Sequence, residues 1–529
     1  MTSVRRALRR TGWSWAFLIG AAALAAAPIV AVLASILTPS TEVWRHLWET
    51  RLPLMIRETA LLLVLVVTGA VGLGTTLAWL VTAYQFPGRR LLGWLLVTPI
   101  AVPGYVMGFV WLDLFRGWLG ARAAQGVWLC AAVLILALYP YVYLLALAAF
   151  REQSRVPVDV ARSLGCTRTA AWWRVTLPLA RPQLAAGAAL VGMEVLTDVG
   201  TVRLFNVSTL ADGVLRVWFG LGSRNAATEL AVLLVVAAVV LVALERRLRG
   251  RARYATGSGS GDRVPRQPVR GWTALTVVGP AVVVLVVAVG VPVARLVDWV
   301  GEARRTGQSV SVAGDVGDHL VASARVAGAA TLACLLVGVV LALQARRRGR
   351  AGRPFVRLAT LGYAVPGPVV AVGVVMALAA WDRRGWWWGD ALLVGSMVGL
   401  VYGLAVRYLA VGFNGIEASL DRVSPNVVAS ARTLGAGPMA VATRVELPLA
   451  RAGLLAAGAL VAIDVLKELP ITLLLRPFGV DTLSVWVWQA TSESLWAQAA
   501  VPSLAIVVVG MVAVALLLAA LEHGAEVTS

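Results

Sequence analysis

Apolar residues in this 529-residue chain fall in long, nearly unbroken runs separated by short polar stretches rich in arginine. A helix needs about 20 mainly apolar residues to cross the hydrocarbon core of a bilayer. Twelve segments meet that length: 13–37, 57–83, 91–115, 124–150, 182–204, 226–245, 272–297, 318–344, 355–380, 390–413, 452–475 and 496–521. The pattern predicts an all-α integral membrane protein with about twelve transmembrane helices. Several segments contain Gly or Pro, which spanning helices tolerate when their neighbours satisfy the freed backbone groups.

Composition strengthens this reading. Hydrophobic residues make up 59% of the chain and charged residues 14%, with a mean hydropathy of +0.81; a soluble domain averages about 45–50% and about 25%. The formal net charge of +20 would point to nucleic acid in a soluble protein. Here the arginines flank apolar runs, which is the positive-inside signal of a membrane protein, with no nucleic-acid partner expected. With the N-terminus inside, segments 1–12, 84–90, 151–181, 246–271, 345–354, 414–451 and the C-terminal tail are cytoplasmic. They hold Arg89-Arg90, Arg246-Arg247 and Arg346-Arg347-Arg348, so both termini are expected in the cytoplasm. Arg5, Arg6, Arg9 and Arg10 followed by small residues at Ala23 to Ala27 resemble a cleavable leader. The run continues to Leu37, beyond the roughly 7–15 residues of a leader core, and reads as a retained first span.

Residues 246–271 are basic, then carry Gly257-Ser258-Gly259-Ser260-Gly261 and Pro265 and Pro268, the chemistry of a flexible hydrophilic linker. It divides the chain into halves at 1–245 and 272–529, with six segments each. The halves are related. Ala161-Arg162-Ser163-Leu164-Gly165 precedes Leu177-Pro178-Leu179-Ala180-Arg181, and Ala431-Arg432-Thr433-Leu434-Gly435 precedes Leu447-Pro448-Leu449-Ala450-Arg451. Each matched pair is separated by 270 residues (435 − 165). Val102-Pro103-Gly104 echoes Val365-Pro366-Gly367, and Glu194-Val195-Leu196 echoes Asp464-Val465-Leu466. A tandem repeat in the same orientation predicts a pseudo-two-fold axis along the membrane normal, with a pathway between the halves.

At this spacing the chain resembles the permease subunits of ATP-binding cassette importers. Their cytoplasmic loop carries a Glu-Ala-Ala triplet, then a Gly, then Leu-Pro. Here the triplet reads Asp159-Val160-Ala161 in the first copy and Ala429-Ser430-Ala431 in the second, which lacks the acid. The resemblance implies coupling helices in loops 151–181 and 414–451, with Asp159, Ala161, Gly165, Pro178, Ala431, Gly435 and Pro448 as ATPase-coupling residues. It also implies two copies of a separate ATPase, and a substrate-binding protein, periplasmic or lipid-anchored. Gly165 and Gly435 permit a chain reversal that a Cβ would oppose, and Pro178 and Pro448 start the next span where a missing N–H costs least. A Walker-type site needs Lys-Ser or Lys-Thr after a Gly-rich turn. The single lysine, Lys467, precedes Glu468, so the chain is read as a transport subunit without enzymatic activity of its own.

Cys130, Cys166 and Cys334, and His46, His319 and His523, are scattered. No disulfide framework, metal site or cofactor is expected from them. Glu194, Asp198, Asp464, Lys467 and Glu468 fall within segments 182–204 and 452–475, where ionisable groups face a cavity or one another. The spacing places Asp464, Lys467 and Glu468 on one helix face. They are candidates for lining a translocation pathway, or for an internal salt bridge. Arg203, Arg224, Arg304, Arg305, Arg383 and Arg384 lie on the expected outer side and are candidates for docking the binding protein, or ordinary loop charge. Trp386-Trp387-Trp388 reads as an interfacial anchor, and Tyr139, Tyr141 and Tyr143 as packing residues. The stretches Lys467 to Leu483 and Thr197 to Leu210 resemble fused two-half permeases of ferric-iron importers, which implies ferric iron as cargo. Thiamine, phosphonate and polyamine importers share the wider family. An ion-gradient carrier also suits twelve spans in two repeats, but has no ATPase to dock.

Overall fold

Among the described residues, eight of the apolar runs form helices long enough to cross a membrane: Trp15–Leu37, Leu52–Ala83, Val127–Glu152, Arg224–Arg249, Trp272–Arg305, Gly317–Ala351, Met397–Asp421 and Trp496–Leu516. The computed structural model describes residues 2–37, 41–249, 266–307, 315–383 and 392–526. Among the described residues the only strands are Tyr84–Gln85 and Gln267–Pro268, which pair in parallel and tie the end of the linker region to the loop after Ala83.

The remaining four segments, 91–115, 182–204, 355–380 and 452–475, are interrupted, and they are equivalent pairs in the repeat. By length and composition, two bent pairs, Arg89–Ala101 with Gly104–Leu119 (90°) and Pro438–Leu449 with Arg451–Leu466 (73°), bring the candidate crossings among the described residues to as many as ten. The breaks have local causes. A residue before proline is driven out of the helical region, and Val102 and Val365 are extended, at φ −95°, ψ 111° and φ −116°, ψ 131°. Pro103 and Pro366 follow in the same extended form before helices restart at Gly104 and Gly367. In the fifth segment of each half, helices end at Thr197 and Leu466, and short ones begin at Gly200 and Pro470.

Each half reaches into the other. The helix Trp15–Leu37 packs on Arg353–Ala359 and Gly367–Asp382 of the second half, and the Tyr402 hydroxyl donates to the Leu24 carbonyl at 2.6 Å. In return Trp299, on the first helix of the second half, stacks on Phe109 at 5.5 Å, and Arg295 pairs with Asp113 at 3.1 Å. The last helices also cross over: Arg224–Arg249 packs on Gly367–Asp382, and Trp496–Glu526 on Thr98–Ala101. Both interrupted third segments are thus clasped by helices of the opposite half.

One approach is close enough to test. A Cβ added at Gly373 would lie 2.3 Å from the Pro28 carbonyl oxygen, whereas one at Gly328 meets nothing within 4 Å. Forcing atoms into a packed contact typically costs about 1–3 kcal/mol. Gly373→Ala is expected to lower the thermal midpoint of the purified protein, and Gly328→Ala to leave it unchanged.

Candidate translocation cavity and exposed loops

The interrupted segments meet between the halves. Their exposed backbone ends must be satisfied inside the protein, because lipid offers no hydrogen bonds. The Asp198 carboxylate accepts the Thr201 and Val202 N–H groups at 3.0 and 3.1 Å and the Thr201 hydroxyl at 2.8 Å. The Glu468 carboxylate accepts the Ile471 and Thr472 N–H groups at 2.8 and 3.0 Å and the Thr472 hydroxyl at 3.1 Å. The acid and both N–H donors of the second set lie 270 residues after their counterparts (468 − 198), while the hydroxyl comes from the first residue in one copy and the second in the other. The two acids therefore cap equivalent short helices, where the dipole also favours negative charge. The Pro-Gly breaks pack against them: a Cβ at Gly104 would sit 3.3 Å from Asp198 Oδ2, and one at Gly367 3.5 Å from Glu468 Oε1.

This corrects one expectation. Glu468 does not share a helix face with Asp464 and Lys467, because the helix ends at Leu466 and Glu468 turns to the N–H groups of the following helix. Asp464 and Lys467 pair with each other within their own segment, Nζ to Oδ1 at 2.9 Å, and this pair does not itself bind the segment to a neighbour. Lys467 also donates to the Tyr141 hydroxyl at 2.7 Å. The Tyr139 and Tyr143 hydroxyls donate to the carbonyls of Leu96 and Gly93 at 3.1 and 2.9 Å, so these two are packing residues and Tyr141 is not only that.

A cavity of about 100 Å³ lies at this junction, lined by Tyr141, Glu194, Thr197 and Asp198 of the first half and Arg407, Lys467 and Glu468 of the second. Arg407 escaped the sequence reading. It is 1% exposed, donates to the Val365 carbonyl and to Thr197 Oγ1 at 3.1 Å, and so ties the halves together. A lone arginine inside an apolar helix was the available signal. The Glu194 carboxylate makes no ion pair or hydrogen bond to a described residue, and its backbone carbonyl accepts the Asp198 N–H at 2.9 Å. Among the described residues no group of three or more His, Cys, Asp or Glu is arranged to hold a metal ion.

The duplicated loops are near copies in three dimensions. Helices Val156–Ser163 and Pro425–Thr433 each end at a leucine and then a glycine, Gly165 at φ +87° and Gly435 at φ +85°. Gly165 and Cys166 N–H groups return to the carbonyls of Arg162 and Ala161, and Gly435 and Ala436 to those of Arg432 and Ala431, all at 3.0 Å. This double closure is a Schellman cap, which needs a left-handed residue. A Cβ at either glycine would meet open space, so φ alone demands glycine. Each loop then passes through a π-helical turn, Trp172–Thr176 or Ala442–Glu446, just before Pro178 or Pro448, where the ring would clash with a tighter turn. Val160, Leu164, Val427, Leu434 and Met439 are exposed, leaving both helices with uncovered apolar surface. Asp159 pairs with Arg155 at 2.6 Å, both solvent-exposed, a contact of little energetic weight.

The outer arginines have different surroundings. Arg203 pairs with the buried Asp212 at 3.1 Å and lies over the Trp488 ring at 5.0 Å. Arg224 lies 5.9 Å from the Trp218 ring centre, and Arg304, Arg305 and Arg383 are exposed. Arg384, Trp386-Trp387-Trp388 and the Gly257 to Gly261 stretch lie outside the described residues. The caps give a direct prediction. Asp198→Ala and Glu468→Ala each strip two N–H groups of their acceptor, at about 1–3 kcal/mol for each buried group left unsatisfied. Both are expected to lower the thermal midpoint, with Asp198→Asn retaining most of the stability because one oxygen accepts both N–H groups, and Glu468→Gln retaining only part of it because its two N–H groups go to different oxygens.

Two stretches, residues 73–253 and 335–524, match the family model described as the binding-protein-dependent transport system inner membrane component. An Fe(3+)-transport system permease protein of Haemophilus influenzae is 27% identical over 488 residues, covering 91% of this chain and 92% of that protein. A sulfate transport system permease protein of Salmonella typhimurium is 34% identical over 138 residues, 24% of this chain and 50% of that protein. Another from Escherichia coli is 31% identical over 144 residues, 26% and 50%. With one match in each half, on a multi-pass helical fold, the chain belongs to the family of inner membrane components of binding-protein-dependent transport systems.

Proposed function

We propose that this chain is the transmembrane permease subunit of an importer that moves ferric iron from an extracytoplasmic binding protein to the cytoplasm, driven by two copies of a separate ATPase. The observation that carries the cargo assignment is the extent of similarity. The Haemophilus influenzae iron permease aligns with 91% of this chain, through both halves, while the sulfate permeases align with about a quarter of it. The acid-rich centre suits the same cargo, since ferric iron is a hard cation that prefers oxygen. Three carboxylates (Glu194, Asp198, Glu468) line the cavity with two bases, Lys467 and Arg407, and a fourth, Asp464, pairs with Lys467 beside it. Sulfate is the second reading, favoured by higher identity over its shorter alignments.

In this reading residues 1–245 and 272–529 are the two permease halves, joined by the linker 246–271. The loops around 151–181 and 414–451 present their exposed apolar residues to the ATPase, with Asp159, Ala161, Gly165, Pro178, Ala431, Gly435 and Pro448 fixing their shape. Both termini and both loops face the cytoplasm. Glu194, Asp198, Asp464, Lys467 and Glu468 border the route. Arg224, Arg304, Arg305, Arg383 and Arg384 meet the binding protein, and Arg203 contributes there only if it exchanges its Asp212 partner.

Two experiments test this. Deleting the gene is expected to abolish uptake of radiolabelled ferric iron by iron-limited cells. The wild type restores it, and the Gly165→Val/Gly435→Val variant does not, although it still inserts in the membrane. Unchanged iron uptake with lost sulfate uptake would move the cargo to sulfate. For orientation, Cys130 and Cys334 are fully buried and Cys166 is half-buried in the first loop. A membrane-impermeant maleimide is expected to label Cys166 in inside-out vesicles and not in intact cells. Labelling in intact cells would reverse the topology.

A further inference from the structure

The cavity is built on a duplicated plan whose acids recur while one polar position changes charge. Glu194 corresponds to Asp464 and Asp198 to Glu468, but Thr197 of the first half corresponds to Lys467 of the second. Asp198 and Glu468 are engaged as helix caps. Glu194 lines the cavity without an ion-pair partner among the described residues. Asp464 has one: the Lys467 ammonium, held between Asp464 Oδ1 at 2.9 Å and the Tyr141 hydroxyl at 2.7 Å.

The two bases differ in freedom. Arg407 is 1% exposed and fastened to the Val365 carbonyl and the Thr197 hydroxyl. Lys467 keeps 18% of its side chain exposed, lines the cavity, and ends a flexible four-carbon stem with a compact charge. It can leave Asp464 while keeping its hydrogen bond across the halves to Tyr141, whereas Arg407 cannot move without breaking its ties to Val365 and Thr197. A conducting site must bind its ion well enough to admit it and weakly enough to release it. A bare pair of carboxylates would hold a trivalent cation too long.

We propose that Lys467 is a tethered counter-ion that sets the selectivity of the cavity. Its ammonium occupies the position beside Asp464 that a passing multivalent metal cation takes. The cation is admitted by displacing the ammonium towards Tyr141 and is expelled when the ammonium returns. Glu194, unpaired on the opposite half, is the second carboxylate the cation meets. This assignment rests on the reading of the chain as a ferric-iron importer.

The test uses the full chain in phosphatidylcholine nanodiscs, with terbium(III) as the probe. Terbium is a hard trivalent cation whose emission is sensitised by a nearby aromatic ring, here Tyr141. Wild type and Lys467→Arg are expected to bind it weakly. Lys467→Met is expected to bind about tenfold or more tightly, a typical size for coupling between interacting groups, and adding Glu194→Gln is expected to reverse that gain. In cells Lys467→Met is expected to slow iron uptake while Lys467→Arg sustains it. If Lys467→Met does not yield folded protein, Lys467→Gln, which can still hydrogen-bond Asp464 and Tyr141, carries the same expectations. Terbium affinity unchanged by loss of the ammonium, with iron uptake by the wild type intact, overturns the counter-ion role alone. Wild-type cells that import sulfate and not iron through this chain overturn the reading beneath it.

Discussion

The structure depends on one constraint: a helix broken inside a bilayer must find hydrogen-bond partners for its backbone within the protein. Four segments break here, two per half, and all four breaks are gathered where the halves meet. Asp198 and Glu468 supply the missing acceptors for two short helices. The Pro-Gly breaks at 103–104 and 366–367 press against these same carboxylates. Satisfying the backbone thus creates a polar centre in an otherwise apolar body, and the cavity forms there. The clasping of each third segment by helices of the opposite half keeps the breaks out of lipid.

Duplication supplies the frame, and departures from it supply the chemistry. The caps, the Schellman turns and the π-helical turns repeat at 270 residues with nearly the same geometry. Around the cavity the copies diverge: Thr197 of the first half is replaced by Lys467 in the second, and among the cavity-lining residues only the second half brings an arginine, Arg407, into the junction. The loops diverge as well. Asp159 has a surface partner in Arg155, while the second loop has Ala429 at that position and is braced by Arg347, which donates to the Pro438 carbonyl at 2.9 Å. The two loops therefore offer a docking partner similar shapes with different charge.

Much of this was legible in the sequence. Run lengths gave the multi-pass helical class, and the repeated Ala-Arg-x-Leu-Gly and Leu-Pro motifs gave the loops and their turns. The breaks were not read, because averaged hydropathy is blind to a two-residue interruption; the pairs Val102-Pro103 and Val365-Pro366 carried the signal through the pre-proline restriction. Glu468 was placed on the wrong surface because a spacing of four residues implies a shared face only within one continuous helix. Arg407 was passed over because its partners, Val365 and Thr197, lie 42 and 210 residues away. The exchange of first and last helices between halves likewise arises from long-range packing, which no local pattern encodes.

The account's central claim is that cargo passes between the halves where the breaks meet, and that the halves must part there. Thr197 and Gly367 belong to opposite halves, and a Cβ at Gly367 would lie 3.0 Å from Thr197 Cγ2, within reach of a disulfide between cysteines at the two positions. The most direct measurement is ATP-driven cargo uptake into proteoliposomes holding the Thr197→Cys/Gly367→Cys protein with its ATPase and loaded binding protein, before and after oxidation. The account predicts that forming the cross-link stops uptake and that a reductant restores it. Uptake that continues at its original rate with the cross-link fully formed would contradict a pathway through this junction.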